Sequence, residues 1–71
     1  MPNYIVNKNA QSNGDYEVHD EASTRGCLPL AANRISLGYY SSCSSAVTAA
    51  NTLGYRPANG CYYCAYSCHT S

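Results

Sequence analysis

Neither phenylalanine nor tryptophan occurs in this 71-residue chain, so its interior must be assembled from smaller side chains. The large aliphatic residues are Ile5, Val6, Val18, Leu28, Leu30, Ile35, Leu37, Val47 and Leu53, and much of the 45% hydrophobic fraction is Ala, Cys and Tyr. A domain of this length buries only about 60% of the surface its unfolded chain exposes. Ordering each residue costs about 1.5 kcal/mol, nearly what apolar burial returns in so short a chain. Residues 1–71 therefore read as one domain that needs a further stabiliser. Disulfides, a structural metal or a partner subunit are the usual ones.

Five cysteines are the obvious source. The opening Met-Pro-Asn-Tyr-Ile-Val-Asn-Lys has neither the basic n-region nor the apolar run of a signal peptide. No segment approaches the ~20 apolar residues of a membrane span. We therefore expect a cytoplasmic protein, where closely spaced cysteines bind metal more often than they pair. An odd number also suits a disulfide framework poorly. The four basic and four acidic residues cancel, and Lys8, Arg25, Arg34 and Arg56 are scattered along the chain. Phosphate neutralisation supplies much of the affinity for nucleic acid, so this distribution argues against an autonomous nucleic-acid binder.

Hydrophobic periodicity orders the rest. Tyr4-Ile5-Val6 is β-prone, and Asn13-Gly14-Asp15 is a strong turn signal. Asp15 to His19 alternates, with Tyr16 and Val18 on one face and Glu17 and His19 on the other. The two runs predict a hairpin with a wide loop. Arg34 to Tyr40 predicts a third strand that Gly38 interrupts. Cys43, Ala46, Val47, Ala50 and Leu53 share one helical stripe, with Ser41 or Ser42 as N-cap and Gly54 as the stop. Tyr55 to Gly60 reads as a connector, and Cys61 to Ser71 as a cysteine turn followed by about one helical turn.

The residues with the most chemistry lie in that tail. In Cys61-Tyr62-Tyr63-Cys64, two residues between the cysteines let both thiolates reach one ion. Backbone N–H groups of the turn can then support the sulfurs, and zinc favours a tetrahedral set of thiolates and imidazoles at about 2.0–2.3 Å. Cys68 and His69 follow closely, and Cys27 lies upstream. The set expected for a structural Zn2+ is Cys27, Cys61, Cys64 and Cys68, with His69 and His19 as alternates for the fourth position. His19, on the polar face of its strand, reads by default as solvated. Cys43 reads as a core residue, although a thiol at a helix N-terminus can also be reactive. Tyr62, Tyr63 and Tyr66 are expected to cap the core and shield the metal. No catalytic set is visible, because nothing places Asp15, Glu17 or Asp20 against a histidine and a nucleophile.

Two resemblances add to this reading. Cys27-Leu-Pro, Asn33-Arg-Ile-Ser-Leu, a Ser-started helix with Ala46 and Ala49-Ala50, Gly54-Tyr55-Arg56-Pro57 and Cys61-x-x-Cys64 together resemble the zinc-binding domain of Ada-type DNA methylphosphotriester repair proteins. The likeness covers roughly residues 19–64. It implies four cysteine ligands, with Cys61 and Cys64 as the late pair, Cys27 as an early one, and an early cysteine as methyl acceptor. The chain departs from it by inserting Ala58-Asn59-Gly60 before the late pair and by lacking the second early cysteine. Val6-Asn7, Asn9-Ala10-Gln11, Asn13 to His19, Asn59-Gly60-Cys61 and Cys68-His69-Thr70 look like a family of small uncharacterised bacterial proteins, which implies no activity.

The expectation is an α+β domain: a small three-stranded, mainly antiparallel sheet, one packed helix and a C-terminal zinc knuckle. Its expected function is that of a small zinc-binding accessory module meeting a protein partner through its tyrosines, rather than an enzyme. One alternative is an Ada-like reactive zinc-thiolate, accepting an alkyl group or sensing electrophiles. The other is a mobile-element-encoded inhibitor of a host protein.

Overall fold

The computed structural model describes residues 3–24 and 26–69. The β-prone run and the two alternating segments become strands β1 (Asn3–Asn7), β2 (Tyr16–Asp20) and β3 (Arg34–Tyr39). β1 is the centre of an antiparallel trio, pairing Ile5 with His19 of β2 and with Ser36 of β3. The register slips between Tyr4 and Ile5, opposite Leu37, next to the expected interruption at Gly38.

The sheet has four strands rather than the three expected. Its order is β3-β1-β2-β4, where β4 (Ala58–Gly60) runs parallel to β2, so the sheet is mixed. Ala-Asn-Gly carries no β-branched or aromatic residue, so β4 has no propensity of its own. It forms because its surroundings satisfy its backbone. The Ala58 N–H donates to the Asn51 side-chain carbonyl at 3.0 Å, and Tyr16 N–H to Pro57 C=O at 2.9 Å. Just beyond the strand, Cys61 N–H donates to Val18 C=O at 2.9 Å.

The helix α1 spans Cys43–Leu53, as its stripe predicts. Ser42 stands in the N-cap position with extended backbone, but its hydroxyl makes no capping bond. At the other end Gly54, at φ 101°, lets its own N–H reach Asn51 C=O while Tyr55 N–H reaches Ala50 C=O at 3.0 Å. That pair of bonds is the Schellman stop, and the left-handed conformation is why glycine stands there.

Period-two alternation divides the sheet. Tyr4, Val6, Val18 and Leu37 pack against Cys43, Ala46 and Ala50 of α1, with Cys61 and Ala65 completing this core. Ile5 and His19 are equally buried but point to the opposite face, together with Glu17 and Arg34. The segment between β2 and β3 returns to that face, where the Arg34 Nε–H donates to Pro29 C=O at 2.8 Å.

The tail closes on β4. A Cβ at Gly60 would lie 2.6 Å from Ala65 O and 2.7 Å from Cys68 Cβ, so only glycine fits. A short 3-10 turn at Tyr66–Cys68 follows, and Cys68 forms a disulfide with Cys43 across a Cα–Cα distance of 6.2 Å. Metal binding was the expected use of the cysteines; here two of the five are paired, and Cys43 is both a core residue and a cross-link. Among the described residues no helix is long and apolar enough to cross a membrane. Thr70, the end of one resembling motif, lies outside the described residues, as does Arg25.

Candidate metal centre

Four side chains from three separate stretches meet beside β2. His19 is the last residue but one of that strand, Cys27 comes from the following loop, and Cys61 and Cys64 flank the turn after β4. One ligand atom from each lies within 4.8 Å of all the others. The Cys27 and Cys64 sulfurs are 3.3 Å apart, and Cys64 Sγ is 3.5 Å from His19 Nδ1. Sulfurs on a tetrahedral zinc stand about 3.8 Å apart, given Zn–S bonds of about 2.3 Å. The Cys27–Cys64 pair is thus slightly closer than in a loaded site. The cluster could hold a metal ion.

Three of the residues expected as ligands from sequence, Cys27, Cys61 and Cys64, are brought together. Cys68 is not. Its sulfur is bonded to Cys43, and it packs against Gly60 on the far side of the tail turn. His69 also lies outside the cluster, because its Nδ1 is engaged 3.0 Å from Gly60 C=O. The fourth member is His19, one of the alternates, and it is not the solvated residue expected by default but 1% exposed. The β2–β3 segment covers the sheet face that alternation had marked as polar, and that long-range packing buries it.

The electrostatics suit a neutral imidazole. Burial lowers the His19 pKa; Glu17 opposes that shift, and Arg34 adds to it. The imidazole Nε2 lies 3.3 Å from Glu17 Oε1, which fixes the tautomer that leaves Nδ1 free to donate its lone pair toward the sulfurs. A carboxylate behind a histidine is the usual second partner of a metal-ligating imidazole.

The sulfurs are differentiated. Burial raises Cys64 to about 12, with the contact to Cys27 adding to it. Burial raises Cys61 as well, although the backbone of Cys64 and Tyr63 bonds to its sulfur and offsets part of the effect. Cys27 is lowered: burial pushes it up, but bonds from the Cys64 and Ser23 side chains outweigh burial. Ser23 Oγ is 3.7 Å from its sulfur. Burial thus resists ionisation of Cys61 and Cys64, and a dication would offset that, since metal-bound thiols are deprotonated.

Cys64, His19 and Glu17 also form a linear array, so a carboxylate does stand against a histidine and a thiol, contrary to the sequence expectation. This is not an activated nucleophile. Catalytic cysteines have lowered pKa values in electropositive, accessible surroundings, whereas burial pushes this thiol up and the histidine is sealed.

The tyrosines sit differently from expectation. Tyr62, Tyr63 and Tyr66 are 52–65% exposed, so they cap the core little. They gather instead on the outside of the tail turn. Tyr62 meets Tyr63, Tyr66 and His69 edge to face, with ring centroids 5.3, 5.1 and 5.4 Å away. Edge-to-face pairs are mutually favourable because each ring's electropositive edge meets its neighbour's electron-rich face.

Comparison with family models, curated proteins and solved structures gave no match.

Proposed function

We propose that this chain is a small binding module whose fold is completed by one structural zinc ion, held by Cys27, Cys61, Cys64 and His19 in a C-terminal knuckle. The observation that carries the reading is His19: sealed from solvent, disposed to stay neutral, backed by Glu17, with Nδ1 against the Cys64 sulfur in a cluster of three cysteines. Three sulfurs and one imidazole form a donor set suited to tetrahedral zinc. Four protein ligands leave no open position, which favours a structural over a catalytic ion. On this reading the ion anchors the turn that carries the exposed tyrosines, and that turn is the surface offered to a protein partner. Tyrosine supplies large contact area at low conformational cost, and the patch bears no charge of its own.

Cobalt(II) substitution tests the ligand set. The protein should bind one cobalt with the intense visible bands of tetrahedral coordination and the ultraviolet absorption of thiolate–cobalt charge transfer. Cys61→Ser and His19→Ala should lose the spectrum, and His69→Ala should keep it. A spectrum indifferent to His19, or octahedral in character, contradicts the proposal. For the surface, chemical cross-linking of wild-type and Tyr62→Ser/Tyr66→Ser protein in extract should yield a partner with the first only. Equal recovery by both removes the tyrosines from the account.

A second reading, the Ada-like reactive zinc-thiolate, is favoured by one observation. Cys64 borders an open cavity of about 300 Å³ lined by Asp20, Ala22, Ser23, Thr24 and Tyr63, so a small electrophile can approach the cluster. Intact mass after exposure to a methylating agent decides it. One modified cluster cysteine supports the reading, and unmodified protein removes it.

A further inference from the structure

The Cys43–Cys68 disulfide lies outside the metal cluster. Its two sulfurs occupy different environments. Cys43 is the first residue of the eleven-residue helix α1 and is almost fully buried, at 7% exposure. Cys68 is half-buried and borders two surface cavities. One of about 430 Å³, which Cys43 also lines, runs between Ser41–Ser44 and the Cys64–Cys68 tail; one of about 270 Å³, lined by Cys68 and not by Cys43, lies along Ser44, Val47 and Thr48. Cys43 Sγ has a further neighbour, Ser67 Oγ, at 3.2 Å.

Thiol–disulfide exchange needs an attackable sulfur and a leaving sulfur whose thiolate is stabilised. The first requirement is met by Cys68, which is more exposed than Cys43 and borders the cavity along Ser44, Val47 and Thr48 that Cys43 does not line. The second is met by Cys43, twice over. A thiolate there would lie at the positive end of the helix dipole. It would also accept a hydrogen bond from the Ser67 hydroxyl, and bonds to a charged acceptor are the strong kind. Ser42 makes no side-chain cap bond, so its hydroxyl does not occupy the first-turn N–H groups.

We infer that this disulfide is a polarised thiol-exchange site, at which a low-molecular-weight thiol attacks Cys68 and Cys43 departs. The attacking thiolate forms a new S–S bond to Cys68 Sγ as the Cys43–Cys68 bond breaks. The electron pair leaves on Cys43, giving a Cys68 mixed disulfide and a Cys43 thiolate, with no net electron exchange with any other species. A second thiol attacking the external sulfur then releases the symmetrical disulfide of the small thiol and leaves both cysteines reduced. The inference does not depend on the metal.

Brief exposure of the intact protein to reduced glutathione, followed by acid quench and maleimide trapping, tests it. Peptide mass mapping should place glutathione on Cys68 and maleimide on Cys43. Ser67→Ala should slow adduct formation by about fivefold, because it removes the donor to the departing thiolate. Adduct on Cys43 overturns the polarity. So does an unchanged rate in Ser67→Ala protein that retains the wild-type circular dichroism. Absence of any adduct, under conditions where the denaturant-unfolded chain reacts, overturns the site itself.

Discussion

Glu17 and His19 stand two positions apart on one strand, so they share a face and the carboxylate reaches the imidazole. If that carboxylate supports a metal-bound histidine, Glu17→Gln should weaken zinc binding by about 10–100-fold with little change in the apo fold. A competition titration against a chromophoric chelator measures it, and an unaltered affinity would remove Glu17 from the site. The same residues set a pH dependence. His19 has its folded pKa below the ordinary 6.5. Its contribution to stability is therefore complete above 6.5 and is lost as pH falls through the depressed value, because the unfolded chain takes up a proton that the folded one refuses. Zinc affinity should fall over the same range and more steeply, since the thiols must also lose protons. A pH series of the chelator titration should show that slope; a flat profile contradicts thiolate ligation. Gly60→Ala makes a purely steric prediction. The added methyl collides with Ala65 C=O and the Cys68 side chain, and should cost about 1–3 kcal/mol in denaturant unfolding. At this scale the sequence was partly legible. Cys61-x-x-Cys64, with further cysteines on either side, points in the sequence to a cluster that could hold a metal, and the structure brings Cys27, Cys61 and Cys64 together. His19 does not announce itself, because its burial depends on a segment that crosses the sheet from elsewhere, and its only local sign was a carboxylate two residues away.

The elements that local sequence marks are the ones that form: β1 is a continuous apolar run, while β2, β3 and α1 each have a one-sided apolar pattern. β4 has neither, and exists through hydrogen bonds to Asn51 and β2. The tail from Cys61 to His69 is held by two devices, the cluster on one side and the disulfide on the other. The disulfide could not be read from the sequence because pairing among five cysteines depends on which segments fold together. Its partners are 25 residues apart, and closing a loop of that length is worth about 3.5 kcal/mol by chain entropy. Cys43→Ser/Cys68→Ser should therefore lose about that much stability while still binding one zinc. Loss of metal binding in this variant would return Cys68 to the ligand set, where spacing in the sequence had put it.

At the scale of the whole molecule, the thin interior remains the governing fact. The core joins four sheet residues to two alanines and a cysteine of one helix, and the opposite face is sealed by Ile5 and His19 beneath a loop. Without an ion, the three thiols and the imidazole beside β2 are joined to Glu17, Ser23 and one another by polar contacts alone. With one, structural zinc adds on the order of 10 kcal/mol to folding. The direct measurement is thermal unfolding by circular dichroism of zinc-loaded protein, disulfide intact, with and without excess high-affinity chelator. The account predicts a cooperative transition that chelation shifts far down or abolishes, and that one equivalent of zinc restores. Superimposable transitions in protein that metal analysis shows to be zinc-free would contradict it.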